Sequence, residues 1–96
     1  MISPGLVKFR LFVAGDAANS SLALANLKAL CQAHLPDQYD IEVVDVFREP
    51  RLALADGVFM TPTAIKVSPQ PVRRIVGTLT HTEAVLHALG LETAIQ

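Results

Sequence analysis

The sequence of 96 residues can form one domain and is too short for a second hydrophobic core. Because 51% of the residues are hydrophobic and 18% are charged, the composition excludes intrinsic disorder. The formal net charge of −1 gives no electrostatic basis for binding nucleic acid or an anionic membrane, and the single cysteine excludes an internal disulfide and a Cys-x-x-Cys redox pair.

The first half of the sequence has the pattern of a strand, a helix and a second strand. From Val7 to Val13 every second residue is apolar and alternates with Lys8, Arg10 and Phe12, which predicts a β-strand. Asn19 or Ser20 can cap a helix that extends to about His34 with one broad apolar face. The run from Ile41 to Val46 is mostly β-branched and predicts a second strand. Such runs are typical of a central strand covered on both faces. Together these elements predict a βαβ unit.

The second half begins with a short helix and continues with a hairpin. Pro50 can be the first residue of that helix, and Gly57 ends it. A third strand, with Thr63, Ile65 and Val67, is predicted next. The proline-rich segment 68–71 forms a rigid turn, and a fourth strand runs from Val72 to Val76.

A helix ends the predicted domain. Thr80 and Glu83 have the spacing of a capping box, with Thr80 as the N-cap. The helix extends to about Leu89, and Gly90 is suited to a left-handed stop. The last five residues, from Glu92 onwards, have little to bury, so we expect them to fray.

Neither a membrane segment nor a leader is expected. No apolar run reaches the ~20 residues of a membrane-spanning helix. The N-terminus has no basic region followed by a long apolar stretch. We therefore expect a soluble, cytoplasmic protein that forms a single domain over residues 1–96, with its core between about residue 7 and residue 91.

The predicted order β-α-β-α-β-β-α is that of the thioredoxin-like α/β folds, which have a mixed four-stranded sheet. The motif Thr61-Pro62-Thr63 directly before the third strand supports this assignment. In thioredoxin-like folds a proline at this place is usually cis, and an X-Pro bond lowers the cost of the cis form to ~0.5–1 kcal/mol. Pro62 is therefore the candidate cis-proline.

Thioredoxin chemistry is not supported by the residues present. A thioredoxin carries its nucleophilic cysteine after the first strand, where the N-terminus of the helix lowers its pKa. Here the segment 15–20 contains no sulfur, and Cys31 lies three turns into the helix on its apolar face. We expect Cys31 to be buried, structural and unreactive.

No other catalytic or metal-binding pattern is present. The three histidines, His34, His81 and His87, are not spaced as metal ligands, so no metal or other cofactor is expected. The sequence has no phosphate-binding loop and no Ser-His-Asp order. Asp45 has two interpretations: a buried carboxylate with a partner, or a residue at a strand end in contact with water. Enzymatic activity therefore has no support from the residues.

A binding role is the remaining possibility. Lys66, Arg73 and Arg74 form a basic cluster on or beside the predicted hairpin. This cluster is either a solvated strand face or a contact patch for an acidic protein surface, to which arginine can bind bidentately. The turn that contains Pro69 and Pro71 would hold such a patch rigidly.

These motifs together resemble the KaiB family of circadian clock proteins. The resemblance extends from about residue 7 to residue 91 and needs no gap. It rests on Leu11-Phe12-Val13-Ala14-Gly15, Asn19-Ser20, Val44-Asp45-Val46, Pro50-x-Leu52-Ala53, Thr61-Pro62-Thr63-x-x-Lys66 and Pro69-x-Pro71-x-Arg73-Arg74-Ile75-x-Gly77-x-Leu79.

The resemblance implies a regulator without enzymatic activity. KaiB proteins bind the RecA-like ring ATPase KaiC, capture KaiA in that complex and compete with the histidine kinase SasA. The family also has two folds: a tetrameric ground state with a rearranged second half, and a monomeric thioredoxin-like state that binds KaiC. Prolines between Pro62 and Pro71 are expected to change isomer between them.

The sequence departs from the cyanobacterial pattern within the fold-switch region, which comprises Pro69, Pro71, Ala88 and Gly90. Ala88 and Gly90 stand where cyanobacterial members have Gly and Asp. Replacing a mid-helix Gly by Ala favours a helix by ~1 kcal/mol. We therefore expect this chain to rest mainly in the thioredoxin-like fold. A role in stress adaptation instead of a clock is a further possibility among such divergent members.

Two other functions remain open at this point. One is a thioredoxin-like adaptor or sensor module that interacts with a histidine kinase without redox activity. The other is a thiol or small-molecule enzyme on a thioredoxin scaffold. An exposed edge strand also leaves room for a homo-oligomer, either a dimer or a tetramer.

Overall fold

The computed structural model describes residues 6–91, so the predicted fraying of the last five residues lies outside the described residues. Its elements follow the predicted order β-α-β-α-β-β-α, which confirms that part of the sequence analysis. They are β1 (Val7–Val13), α1 (Ala18–His34), β2 (Tyr39–Asp45), α2 (Pro50–Ala55), β3 (Thr63–Ser68), β4 (Arg73–Val76) and α3 (Thr82–Ala88).

The four strands form one mixed sheet with the order β2-β1-β3-β4. Strand β2 is parallel to β1, as a βαβ unit requires, and β3 is antiparallel to β1. Strands β3 and β4 form the predicted antiparallel hairpin. Because β2 is parallel to β1 and β3 is antiparallel to it, the loops that follow β1 and β2 lie at the same end of the sheet as the loop that precedes β3.

Strand β2 lies at an edge, and its prediction as a central strand is wrong. Val43 in this strand is 46% exposed and Glu42 is also exposed, whereas Val44 is buried. β-Branched residues favour any pleated, half-buried surface, so their frequency does not distinguish an edge strand from a central one.

Helices cover both faces of the sheet. The odd-numbered residues of β1 pack under α1 and α3, where Phe9 and Leu11 contribute to the larger core together with Leu27, Val85 and Leu89. The opposite face holds a smaller core under α2. Its buried members are Phe12, Val44, Ala53, Val58 and Ile65. The alternation of side chains along each strand therefore decides which helix a residue meets.

The N-terminus of α1 is built differently from the prediction. The helix begins at Ala18 with Ala17 as its N-cap, and no side chain caps it. Neither Asn19 nor Ser20 is the cap, because both lie inside the first turn. The Ser20 hydroxyl is buried and accepts a hydrogen bond at 3.1 Å from the main-chain N–H of Ala14, which fixes the loop after β1.

The predicted capping box of the last helix is also wrong. The N-cap of α3 is His81, and it makes no side-chain cap hydrogen bond. The helix therefore begins one residue too late for the spacing between Thr80 and Glu83 to act as a box. The Thr80 hydroxyl lies 2.7 Å from the Thr78 hydroxyl instead.

The predicted helix stops and the cis-proline are confirmed. Gly90 has φ +71° directly after α3, and the N–H of Leu91 donates to the carbonyl of Leu86 at 2.8 Å, as in a Schellman motif. Gly57 follows α2 with φ +66°. The Thr61-Pro62 bond is cis, and the bonds before Pro69 and Pro71 are cis as well.

Candidate functional site

Two of the three predicted basic residues lie side by side. Lys66 in β3 is directly opposite Arg73 in β4, and Lys66 is also opposite Phe9 in β1. Phe9, Lys66 and Arg73 thus form one row across the sheet. Because Phe9 belongs to the core under α1 and α3, this row lies on the face that these two helices cover. Lys66 is only 4% exposed, whereas Arg73 is exposed. We call these two residues the cationic pair.

The cationic pair lies against the C-terminal end of α3. A Cβ atom placed on Gly90 would be 3.6 Å from Nε of Arg73 and 3.7 Å from Nζ of Lys66. The carbonyl end of a helix carries partial negative charge, so this position favours both cations. A side chain at Gly90 would contact both cationic side chains, in addition to the strain of a positive φ.

The cationic pair has no carboxylate partner among residues 6–91. The ion pairs of this part of the chain involve Arg10 and Arg48 instead. Burial lowers the pKa of the Lys66 ammonium, and the positive charge of Arg73 lowers it further. A carboxylate from outside would offset both effects. The pair therefore has the electrostatics of a site for an external anion.

Arg74 lies on the opposite face of the sheet. It is directly across from Ile65, and its guanidinium donates hydrogen bonds to the main-chain carbonyls of Asp56 and Gly57. These carbonyls follow α2, so Arg74 fastens the end of that helix to β4. The basic cluster of the sequence is thus divided in two, with Arg74 bonded to its own chain.

Arg10 is a second arginine on this face, and sequence analysis missed it. Its guanidinium donates at 2.9 Å to the carboxylate of Glu42 and at 2.9 Å to that of Asp56. These two bonds, that to Glu42 first, raise the pKa of Arg10. Arg10 and Arg74 therefore both hold Asp56, one by its side chain and the other by its main chain. No local motif marks contacts between residues so distant in sequence.

Asp45 belongs to a structural contact at the end of β2. One carboxylate oxygen accepts hydrogen bonds from the main-chain N–H groups of Gly15 at 3.2 Å and Phe47 at 2.9 Å. The other oxygen lies 3.9 Å from Nε of Arg48. Asp45 is half-buried at a strand end, so elements of both sequence-based interpretations are present. Its carboxylate ties the loop after β1 to the loop after β2.

Cys31 is fully buried, as predicted. Burial raises the pKa of its thiol to about 12, so the reactive thiolate is absent at neutral pH. The loop where a thioredoxin carries its nucleophile contains Gly15 and Asp16 in this chain, with no sulfur. The structure therefore gives no support to a thiol-based reaction at either place.

A cleft lies between β4 and α3. It has a volume of about 250 Å³ and adjoins the free edge of β4. Its apolar lining includes Ile75, Leu79 and Val85. Sequence analysis did not find this cleft, because it depends on how α3 packs against the hairpin.

Exposed apolar side chains mark the sheet end where the β1, β2 and β3 loops meet. Phe47 is 75% exposed, Phe59 is 85% exposed and Met60 is 65% exposed.

Within residues 6–91, no helix is both long and apolar enough to cross a membrane. The same described range contains no group of three His, Cys, Asp or Glu side chains that could hold a metal ion.

The fold and the site define the class of protein. A mixed sheet in the order β2-β1-β3-β4, with a cis-proline before β3 and no thiol at the start of α1, is a thioredoxin-like module without the redox cysteines. The N-terminal domain of SasA from Synechococcus elongatus has this fold, with a TM-score of 0.78, 16% identity and coverage of 97% of this chain and 89% of that chain. Mitochondrial thioredoxin 3 from Saccharomyces cerevisiae has a TM-score of 0.69 and 19% identity, with coverage of 88% and 76% respectively.

Sequence relatives place the chain more narrowly. Residues 10–91 match the KaiB domain. The circadian clock protein KaiB3 of Synechocystis sp. is 41% identical over 86 residues, which are 90% of this chain and 82% of that protein. The circadian clock oscillator protein KaiB of Synechococcus elongatus is 44% identical over 82 residues, 85% of this chain and 80% of that protein. The chain belongs to the KaiB family, which confirms the resemblance found in the sequence.

Proposed function

We propose that this chain is a non-enzymatic KaiB-like regulator that binds a KaiC-type RecA-like ring ATPase and modulates a circadian or stress-adaptation system in the cytoplasm. Family membership supports this proposal, since the curated relatives are named circadian clock proteins. The observation that carries it is the cationic pair, which has no carboxylate partner among the described residues.

The cationic pair is suited to an acidic protein surface. Arg73 is exposed and can form two parallel hydrogen bonds to one carboxylate. Lys66 is held in place below it by Phe9 and the end of α3, so little side-chain entropy is lost when an anion binds. We assign the direct ionic contact to the exposed Arg73, and the buried Lys66 adds positive charge beneath it. Arg74 contributes an exposed cation from the other face, where its bonds to its own chain hold it in position.

A second candidate function is a module that interacts with a histidine kinase. The specific observation in its favour is the likeness to the N-terminal domain of SasA, whose fold this chain matches over 97% of its length. A KaiA-like protein is a further candidate partner, which would join the complex with the ATPase. A homo-oligomer, dimeric or tetrameric, is a further candidate assembly, because the sheet has β2 and β4 as edge strands.

The proposal includes a single preferred fold. Ala88 lies in the last turn of α3, and Gly90 follows as the stop. We propose that the thioredoxin-like state predominates in solution because both residues favour this helix end. The Pro69–Pro71 turn would then stay in its present arrangement. An NMR secondary-shift profile that shows strand instead of helix over residues 82–88 would contradict this part of the proposal.

A pull-down from lysate of the source cells tests the partner. The tagged protein is incubated with and without ATP, and mass spectrometry identifies what it retains. Recovery of a RecA-type ring ATPase is the expected result, and the Arg73→Glu variant should lose it. Arg51→Glu is the matched control, because Arg51 is an exposed arginine on α2, away from the cationic pair. Recovery of a histidine kinase without the ATPase, when the ATPase is present in the input, would favour the second candidate.

A further inference from the structure

The outer edge of β4 has main-chain groups that no described strand pairs with. Strand β4 is the last strand in the sheet order, and within residues 6–91 it pairs only with β3. An edge of this kind is a template for the addition of another strand.

The hydrogen-bond pattern shows which groups are free. The N–H of Gly77 donates to the carbonyl of Pro62 at 2.9 Å, so these opposed residues form a bonded pair. Bonded and non-bonded pairs alternate along an antiparallel ladder. Arg73 and Ile75 therefore direct their N–H and C=O groups to β3, whereas Arg74 and Val76 direct theirs outwards.

The side chains at this edge specify what an added strand would carry. Arg73 and Ile75 lie on the α3 face, two residues apart, and Ile75 lines the cleft between β4 and α3. A residue opposite Ile75 would occupy a non-hydrogen-bonded position, where opposed Cα atoms are only about 4.5 Å apart. An apolar side chain there would enter the cleft. An acidic side chain opposite Arg73 would reach the exposed guanidinium of the cationic pair.

We propose that the outer edge of β4 binds an extended segment of a partner protein as an added antiparallel strand, with an apolar residue opposite Ile75 and an acidic residue opposite Arg73. In an antiparallel strand these two residues occur in the order apolar, any residue, acidic. The middle residue faces Arg74, which already bonds its own chain. This inference goes beyond the proposed function, because it names a ligand chemistry and a binding geometry that do not depend on which protein supplies the segment.

Charge complementarity selects this occupant over a symmetric second copy. Two β4 strands paired antiparallel across a two-fold axis at Arg74 would place Arg74 opposite Arg74 of the other copy and Arg73 on the diagonal to Arg73, whereas an axis at Ile75 would leave both arginines of each copy without a carboxylate. Like charges opposite one another destabilise a strand pair. An acidic segment instead supplies the carboxylate that the cationic pair lacks.

The test uses the full chain and a synthetic seven-residue peptide, acetyl-Thr-Thr-Leu-Thr-Glu-Thr-Thr-amide, followed by NMR. In the free protein the amides of Arg74 and Val76 should exchange with solvent faster than those of Arg73 and Ile75. Saturating peptide should slow the exchange of the Arg74 and Val76 amides at least tenfold. A peptide with Leu and Glu interchanged should bind at least tenfold more weakly. Equal binding of both peptides, or no slowing of exchange, would overturn the proposal.

Two variants separate edge binding from loss of folding. Val76→Pro removes an outward N–H that does not bond to β3, and an edge strand tolerates proline at such a position. This variant should therefore fold but should not bind the peptide. Val76→Ala keeps that N–H and should retain binding. Arg73→Glu should lose the original peptide and bind one in which Lys replaces Glu.

Sedimentation velocity tests a second copy as the occupant. Self-association that Val76→Pro abolishes would overturn the proposal in favour of a second copy. The peptide titration does not involve the ATPase, so its outcome is separate from that of the pull-down.

Discussion

Two neighbouring rows across the sheet differ in how their charges are satisfied. One row, on the α2 face, consists of Glu42, Arg10, Ile65 and Arg74. Its arginines bond carboxylates and carbonyls of the same chain. The adjacent row, on the face of α1 and α3, consists of Ile41, Phe9, Lys66 and Arg73, and its two cations have no ion pair among the described residues. The cations of the α2 face therefore stabilise the fold, whereas those of the opposite face have no such bonds among residues 6–91, and we propose that they serve a partner.

Arg10→Met should have the largest effect on stability. The substitution leaves the carboxylates of Asp56 and Glu42 without their partner, and Arg10 is only 28% exposed. We expect the free energy of unfolding to fall by about 1–2 kcal/mol. Urea denaturation measures this change. Lys8→Met is the control on the same strand, because Lys8 is exposed, and it should change stability by less than about 0.5 kcal/mol. Equal effects of both substitutions would show that the bonds of Arg10 to Glu42 and Asp56 do not stabilise the fold.

Lys66→Met should stabilise the fold, in contrast to Arg10→Met. Lys66 is buried without a carboxylate partner, so a methionine of similar length removes a desolvation cost. We expect a gain of about 1 kcal/mol at pH 7 in urea denaturation. A loss of stability would show that Lys66 has a stabilising partner.

The pH dependence of the Lys66→Met effect follows from the lowered pKa of Lys66. Between that lowered pKa and the ordinary value of 10.5 the unfolded chain binds more protons than the folded chain, so the stability of the native protein rises with pH. The advantage of the methionine variant should therefore be full below this interval and should shrink as the pH rises through it. An advantage that does not change with alkaline pH would contradict this origin.

Ala88→Gly tests the helix whose end faces the cationic pair. Ala88 lies in the last turn of α3, and glycine disfavours a helix by about 1 kcal/mol relative to alanine. The population of any alternative conformation of residues 82–88 should rise about fivefold. NMR peak intensities for these residues measure that population. Ala33→Gly in α1 is a matched control, because Ala33 lies near the end of that helix and its replacement should not change the population at α3.

The sequence predicted the elements whose signals are local. Alternation over Val7–Val13 identified β1, and Gly90 identified the end of α3. The predicted caps were wrong because the N-caps are Ala17 and His81, and neither makes a side-chain cap hydrogen bond. The apolar composition of β2 could not show that this strand lies at an edge.

The site was predicted in its residue types but not in its arrangement. Adjacent residues of a strand face opposite sides, so the alternation within β4 was itself a signal that Arg73 and Arg74 would separate. The burial of Lys66 could not be predicted, because it depends on where the end of α3 lies. The contacts of Arg10 with Asp56 join segments 46 residues apart, and no local pattern reports them.

The most direct test of the account compares Arg73→Ala with Arg74→Ala, two neighbours on opposite faces. Each variant is measured by urea denaturation and by the ATP-dependent pull-down. We predict that Arg73→Ala keeps its stability but no longer retains the ATPase in the pull-down. We also predict that Arg74→Ala loses about 0.5 kcal/mol of stability, because two carbonyls after α2 lose an exposed donor, while retention of the ATPase falls less than for Arg73→Ala. If Arg74→Ala lost the ATPase while Arg73→Ala lost stability, or if the two substitutions had equal effects in both measurements, the central claim would be contradicted.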